Sequence, residues 1–497
     1  MPAVYFLMSE EDVRVATQRP WASVGSDGAA GGDPEDDIAE RGKTGDRGPM
    51  TETQRQPAPP ELTRALGLTD CVLLVVGAII GSGIFLTPSR VAGLAQSVHA
   101  VLFVWLLGGA LTFCGALTYA ELGAAFPRAG GIYVFLREAY GRLPAFLYGW
   151  CLFFVIIPGS IATLASAFAI YLAYLLSISD LAATAISILV IAALTLANCL
   201  GVRVGAGIQN VLSVIKIGSL IVIAAVLFVS AKGSAQNLHY AQGSPAPWSA
   251  LGIAMIAVLW THEGWDMLTF AAGEVRNPQR NVTLGLLVGT FVVMVLYVTV
   301  NVAYLYILPF PAVAASGRIA SDALVHAIGA GGGTLVAIAI LISITGAMNS
   351  NVLGGPRVYY AMAREGLFFR QVAHVSPKYH VPTVSIILNG AWAAFLTAVG
   401  SFERLFSYVI FVAWIFYALG AIGVIVLRRT QPDIPRPYKT WGYPGVPLVF
   451  CAIGGLIVAN TVVNDFKNSF WGLLVVLTGV PAYLFWTRRK GISGTDC

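Results

Sequence analysis

Twelve long apolar segments, separated by short polar connections, form the main pattern along this chain of 497 residues. An α-helix needs roughly 20 apolar residues to cross a bilayer, and each segment is about that long. The pattern predicts an all-α integral membrane protein with twelve transmembrane helices, called spans 1 to 12 below. Their predicted ranges are 69–95, 99–125, 143–175, 182–200, 207–230, 249–274, 282–308, 333–360, 382–400, 404–427, 444–463 and 468–487.

Composition supports the membrane assignment and distinguishes the amino-terminal residues from the rest of the chain. Hydrophobic residues make up 57% of the chain and charged residues 11%, whereas soluble domains carry about 25% charged residues. This excludes a soluble enzyme or a nucleic-acid-binding protein as the description of the whole chain. Residues 1–60 hold 11 acidic and 6 basic residues without a long apolar run, which predicts a disordered cytoplasmic tail before a membrane domain over 61–497.

Basic residues are distributed unequally between the two sets of connections. With the amino terminus inside, 17 Lys and Arg residues fall on the cytoplasmic side and 5 on the other side. Cytoplasmic loops of membrane proteins carry an excess of Lys and Arg. We therefore expect a multi-pass protein of the cell membrane (plasma or inner membrane), with both termini in the cytoplasm. The six cysteines show no paired spacing, so we expect no metal site, no cofactor and no disulfide framework.

Two spans contain an interruption near their middle. Gly81-Ser82-Gly83 interrupts span 1, and His262-Glu263-Gly264 interrupts span 6. These spans hold corresponding positions in two halves of five spans, at about 69–230 and 249–427, which are followed by two additional helices at about 444–487. Interrupted helices in equivalent places indicate a transporter built from an inverted repeat, with its binding site near the bilayer midplane.

The break in span 1 is suited to binding an anion. If the helix unwinds there, the amide groups of Ser82, Gly83 and Ile84 open the second half-helix, where free N–H donors and the helix dipole stabilise a carboxylate. The alternative is simple packing, since Gly77 and Gly81 form the GxxxG motif of closely packed membrane helices.

The break in span 6 supplies acceptors. The carbonyl groups of Trp260, Thr261 and His262 lose their helical partners if the helix ends there, and an ammonium group can bind to them. Donors for a carboxylate beside acceptors for an ammonium indicate an amino-acid site. Trp260 is a candidate lid over the ligand, and packing is its alternative role.

Ionisable residues within spans are costly and are therefore candidates for function. Lys216 lies at about mid-depth in span 5, where its ammonium needs oxygen ligands. Carbonyl groups of the span 1 break and a hydroxyl of Ser343 or Thr345 in span 8 are the candidates, and a purely structural pair with a buried acid is the alternative. Glu263 and Asp266 lie beside the span 6 break, either as functional carboxyl groups or as structural hydrogen-bonding groups.

Four long motifs resemble the amino acid-polyamine-organocation superfamily, and most closely its L-type amino-acid transporter branch. They are GAIIGSGIFLTP, YAELGAAFPRAGGIYVFLREAYG, EGWDMLTFAAGEVRNPQRN and MNSNVLGGPRVYYAMAREGLFF, in this order within 61–497. The resemblance implies the leucine-transporter fold, with a 5+5 inverted repeat.

The resemblance also implies roles for individual residues. The backbone of Ser82 and Gly83 would hold the substrate carboxylate, and the carbonyl groups of Ile79 and Thr261 would hold the amino group. Trp260 matches the aromatic gate. Lys216 matches a lysine that takes the place of a sodium ion between spans 1 and 8, which implies sodium-independent transport.

The chain departs from the branch in two places. The outer connection between spans 3 and 4, around 176–180, lacks the cysteine of the mammalian light subunits, so we expect no disulfide-linked heavy chain. Glu263 stands where the branch often has glycine, which leaves the size and charge of the substrate open.

The sequence leaves three functional hypotheses. The first is a sodium-independent amino-acid transporter, either an exchanger or a proton-coupled permease, that works by alternating access. The second is a carrier of polyamines or cationic amino acids, with Glu263 facing a second ammonium group. The third is a membrane sensor that binds an amino acid without transporting it. No pairing of a nucleophile with a base indicates an enzyme.

Overall fold

The computed structural model describes residues 62–241, 246–399, 402–464 and 466–488. Throughout these residues the regular elements are helices, and the β-type pairing consists of two isolated bridges, Leu66 with Val275 and Ser97 with Ala241. This architecture confirms the predicted all-α membrane fold. The predicted tail over 1–60 lies outside the described residues, and the division of the rest into two repeats stays a prediction.

The long helices coincide with the predicted spans. Spans 1 and 6 each consist of two helices, called 1a, 1b, 6a and 6b. The helices are Leu68–Ile79 (1a), Gly83–Ala95 (1b), Val98–Ala125 (2), Arg142–Cys151 with Ile157–Leu176 (3), Asp180–Cys199 (4), Val202–Val229 (5), Trp248–Thr261 (6a), Met267–Phe270 (6b), Pro278–Ile307 (7), Gly331–Gly354 with Pro356–Arg364 (8), Thr383–Val399 (9), Phe402–Thr430 (10), Gly445–Asn464 (11) and Phe466–Arg488 (12). Shorter helices connect them at Ile132–Tyr140, Ala235–His239, Ala272–Glu274, Phe310–Ala315, Ile319–Ile328 and Arg370–Ala373.

The predicted number of twelve spans is not confirmed by helix length. Among the described residues, nine helices are long and apolar enough to cross a membrane, and spans 1a and 1b together make a tenth, bent by 46°. The other two are shorter apolar helices of 14 residues in span 6a and 17 residues in span 9. Span 6a is short because the chain unwinds after Thr261.

Span 3 changes its helical geometry just before a proline. Residues Leu152–Ile156 form a π-helical turn, and Pro158 follows in the next helix. Pro158 has no N–H to donate to the carbonyl of Phe154 four residues earlier, and Trp392 Nε1 of span 9 donates to that carbonyl instead, at 3.0 Å. This arrangement fixes span 3 directly before the part of it that lines the central cavity.

Two glycines let span 7 lie against span 1a. A Cβ atom at Gly285 would lie 2.7 Å from Cys71 Cβ, and one at Gly289 would lie 2.7 Å from Val75 Cβ. Real Cβ contacts are not this short, so only glycine permits this approach of the two helices. Span 7 also packs along span 2, and it therefore supports the first half of the broken span 1.

Two buried acids near the ends of spans 2 and 6 pair with arginines. Glu121 accepts from Arg428 at 2.7 and 2.8 Å. Glu274, which is 0% exposed, accepts from Arg357 at 2.7 and 3.0 Å, and the Arg357 side chain is 1% exposed. The second pair ties the end of span 6 to span 8.

Replacing Arg357 by methionine is expected to lower the free energy of unfolding by about 3–5 kcal/mol, because Glu274 then stays buried without its partner. Thermal unfolding in detergent measures the loss as a lower Tm. Arg128→Met is the matched control, since the Arg128 side chain is 54% exposed in its pair with Glu138 and such pairs contribute about 0–1 kcal/mol. Equal losses in the two variants would contradict the role of burial.

Candidate functional site

The break in span 1 lies at the predicted residues. Helix 1a ends at Ile79, Ile80 is extended, and helix 1b begins at Gly83 after Gly81 and Ser82. The first amide groups of a helix have no carbonyl partner within that helix. The first turn of span 1b therefore presents N–H donors at the centre of the fold, as an anion site requires.

The break in span 6 also lies at the predicted residues, directly opposite the break in span 1. Helix 6a ends at Thr261 and helix 6b begins at Met267. Gly264, between them, has a φ of +97°, a conformation that favours glycine. A Cβ atom there would lie 3.0 Å from the carbonyl oxygen of Ala78 in span 1a. Glycine therefore permits both the turn and the close approach of the two breaks.

A cavity of about 70 Å³ lies where the two breaks meet. Eight of the nine residues predicted to bind substrate line it, and the ninth, Ile84, is 0% exposed and lies in the hydrophobic core. The eight are Ile79, Gly81, Ser82, Gly83, Trp260, Thr261, Glu263 and Gly264. The structure thus brings together the residues that the sequence selects at both breaks.

Two other spans complete the cavity wall, and the sequence analysis did not select their residues. Span 3 contributes Ser160 and Thr163, and span 8 contributes Asn351. The hydroxyl oxygens of Thr163 and Ser82 are buried without a hydrogen-bond partner. Polar residues one turn apart in an apolar span were the available signal, but the sequence does not show which side of span 3 faces the breaks.

Tyr297 of span 7 connects the two breaks. Its hydroxyl lies 3.1 Å from the carbonyl oxygen of Ile79 and 3.1 Å from that of Thr261. These are the two carbonyl groups that the resemblance assigns to the substrate's amino group. The single hydroxyl proton is shared between the two oxygens, and because each carbonyl oxygen has two lone pairs, both keep acceptor capacity for an ammonium group.

The prediction for the carbonyl of Trp260 needs a correction. This group is not free, because it accepts the backbone N–H of Glu263 at 3.0 Å. The chain turns so tightly after span 6a that the amide three residues later replaces the lost helical donor. Thr261, whose carbonyl faces Tyr297, is the better candidate for contact with the ligand.

The ammonium group of Lys216 binds to span 1, as the sequence predicts. Lys216 is 1% exposed, and its Nζ donates to the carbonyl oxygens of Gly77 and Ile80, each at 2.7 Å. Ser343 Oγ donates to the same Ile80 carbonyl at 3.1 Å and to Gly81 at 3.0 Å. Spans 5 and 8 thus meet at the carbonyl groups released by the break in span 1.

The expected role of Thr345 at this site is wrong. Its hydroxyl donates to the carbonyl of Leu341 in its own helix at 2.8 Å. Span 8 instead contributes Gly346, where a Cβ atom would lie 2.6 Å from Lys216 Cε and 2.8 Å from Nζ. The absence of a side chain at Gly346 makes room for the lysine.

Glu263 and Asp266 share one neighbour in span 10. The hydroxyl of Tyr417 donates to Glu263 Oε1 and lies 3.5 Å from Asp266 Oδ1. Glu263 lines the cavity, whereas Asp266 is 0% exposed and lies behind it. Both carboxyl groups therefore belong to the same polar site.

Two interrupted helices that meet at a small cavity, inside a bundle of membrane-spanning helices, define a carrier for small solutes. A family model described as amino acid permease matches residues 66–481. The chain belongs to the amino acid permease family.

Curated relatives agree with this assignment over nearly their whole length. The serine/threonine exchanger SteT of Bacillus subtilis (strain 168) is 32% identical over 432 residues, which cover 86% of this chain and 98% of the relative. The human b(0,+)-type amino acid transporter 1 is 30% identical, with 88% and 90% covered. The human cystine/glutamate transporter is 30% identical, with 86% and 87% covered.

Proposed function

We propose that this protein exchanges small neutral amino acids across a cell membrane without sodium, with both termini in the cytoplasm. The observation that carries the proposal is the meeting of the two breaks in one cavity. The first turn of span 1b offers N–H donors to a carboxylate. The carbonyl groups of Ile79 and Thr261 lie beside it and offer acceptors to an ammonium group. Every α-amino acid carries this pair of groups.

Lys216 supports independence from sodium. Its ammonium group places one positive charge on two carbonyl oxygens at 2.7 Å, and carbonyl oxygens at a helix break are the ligands that sodium has in ion-coupled carriers. The site therefore already contains the charge that a sodium ion would supply. The same contacts connect span 5 to the break in span 1.

The cavity favours a small substrate with a polar side chain. Its volume of about 70 Å³ suits alanine or serine better than tryptophan or arginine. The unpartnered hydroxyl groups of Ser82 and Thr163 can bond to a substrate hydroxyl. The serine/threonine exchange named for the Bacillus subtilis relative supports the same substrate class and the exchange mode.

Counterflow in proteoliposomes tests this proposal. Vesicles loaded with unlabelled serine are expected to take up external radiolabelled serine several-fold faster than empty vesicles. Unlabelled alanine and threonine should compete, whereas tryptophan and arginine should not. Binding of serine without uptake would instead indicate a sensor, and competition by arginine as strong as that by serine would indicate a carrier of cationic amino acids.

A further inference from the structure

Three side chains form a buried polar group beside the cavity, and we call it the carboxyl pair with its tyrosine: Glu263, Asp266 and Tyr417. The tyrosine hydroxyl contacts one oxygen of each carboxyl group. Tyr417 is 2% exposed and Asp266 is 0% exposed. The two acids are therefore brought together across a single hydroxyl group, with Asp266 buried and Glu263 half-buried at the cavity.

This group has too few hydrogen-bond donors to stabilise negative charges on both carboxyl groups. Tyr417 has one hydroxyl proton, and Glu263 Oε1 accepts it. Asp266 Oδ2 is buried without a hydrogen-bond partner. Among the described residues, the ion pairs with Lys or Arg involve other acids and neither of these two. A buried carboxylate without a cation or a full set of donors is very costly.

Tyr148 of span 3 packs against Phe416 of span 10, next to Tyr417. It is 1% exposed, and its hydroxyl also has no hydrogen-bond partner. An unpartnered donor and an unpartnered carboxyl oxygen thus lie in the same buried region.

Two carboxyl groups that contact the same hydroxyl group do not both stay charged, because each repels the charge of the other. We propose that Glu263 and Asp266 bind one proton between them and exchange it with the water of the cavity through Glu263. Transport requires this proton. Without it, the pair would hold a second, uncompensated negative charge while the cavity closes during transport. The inference builds on the proposed function and adds its dependence on pH.

A proton fits the site better than the positively charged side chain of a substrate does. Asp266 does not line the cavity, so a ligand there cannot reach its unpartnered oxygen. The cavity volume of about 70 Å³ also favours a small substrate over one with a long basic side chain. A proton needs no such space.

The other titratable groups near the pair are neutral tyrosines, a histidine and one lysine already bound elsewhere. Lys216 donates to carbonyl groups of span 1, and His262 Nδ1 lies 2.9 Å from the Val258 carbonyl, with its ring against Tyr297. The groups that face the pair from packed elements are Tyr119 of span 2, Tyr148 of span 3 and Tyr417 of span 10. None of them supplies a permanent positive charge.

The first test is serine exchange measured at equal pH on both sides, from acidic to alkaline pH. The wild type is expected to slow several-fold as pH rises, because the pair loses its shared proton. Asp266→Asn and Glu263→Gln each leave at most one negative charge, so both should keep their neutral-pH rate at alkaline pH. Glu138→Gln, which removes an acid outside the cavity, should slow like the wild type. A merely structural Asp266 would lower the rate at every pH and leave the decline unchanged.

The second test does not depend on transport. Infrared spectra of the purified wild type at neutral pH should contain the carbonyl band of a protonated carboxyl group, and the double variant Glu263→Gln/Asp266→Asn should lose it. Loss of exchange with the band present would overturn the proposed function and leave the proton site standing. A wild type without the band, or an alkaline decline that persists in Asp266→Asn, would overturn the proton site. Competition by lysine that only Glu263→Gln abolishes, with no change in the pH profile, would assign the pair to a cationic substrate.

Discussion

Lys216→Ala is expected to reduce exchange by about a hundred-fold or more while the protein still inserts into the membrane. The variant loses two charge-assisted hydrogen bonds to the carbonyl groups of Gly77 and Ile80, and such bonds contribute about 1.5–3 kcal/mol each. Without them the break in span 1 loses its connection to span 5. Counterflow of labelled serine measures the loss, and serine-dependent thermal stabilisation shows whether some binding remains.

Three further variants separate this effect from general damage. Gly346→Ala places a methyl group where Lys216 Cε and Nζ lie, so it should impair exchange although the lysine is present. Gly218→Ala is the matched control, because no atom lies within 4 Å of a Cβ at that position. Lys232→Ala removes an exposed lysine outside the cavity and should exchange normally. Full transport by Lys216→Ala would contradict the coupling role.

Gly83→Val is expected to weaken amino-acid binding at least ten-fold. A Cβ atom at this position would lie 2.6 Å from Thr261 Cγ2 and 3.2 Å from Thr261 Cα. Overpacking of this kind costs about 1–3 kcal/mol, and here it drives span 1b away from span 6a. The carboxylate donors and the ammonium acceptors then no longer face one ligand.

The measurement is the shift of Tm with added serine. Gly252→Val in span 6a is the control, since a Cβ there meets no atom within 4 Å, and it should bind as the wild type does. Undiminished affinity in a folded Gly83→Val variant would remove the carboxylate site from the first turn of span 1b.

The two explanations of the glycine motif in span 1 prove to apply to different residues. A Cβ at Gly77 would lie 2.0 Å from Ser213 Oγ of span 5, so Gly77 serves close packing. A Cβ at Gly81 would meet its nearest atom only at 3.7 Å, and Gly81 lines the cavity. The sequence shows where span 1 contains glycine. It does not show which neighbour each glycine faces, because that depends on residues of other spans, far away in the sequence.

In span 8, too, the sequence does not show which side of the helix faces a given neighbour. Ser343 and Thr345 were both plausible partners for the lysine site, but two residues are separated by about 200° around an α-helix. Ser343 therefore reaches the carbonyl groups of span 1, whereas Thr345 bonds within its own helix. Gly346 lies one turn after Ser343 on the same face. Composition and periodicity predict the spans and their breaks, whereas the rotation of each helix requires the packed structure.

Replacement of sodium by choline tests whether the ammonium group of Lys216 takes the place of a sodium ion. Proteoliposomes of the wild type, loaded with unlabelled serine, are placed in sodium buffer or in choline buffer at equal ionic strength, and uptake of labelled serine is followed. We expect equal initial rates of uptake in the two buffers, because the ammonium group of Lys216 already binds to the carbonyl groups of Gly77 and Ile80. Uptake that occurs only in sodium would contradict it.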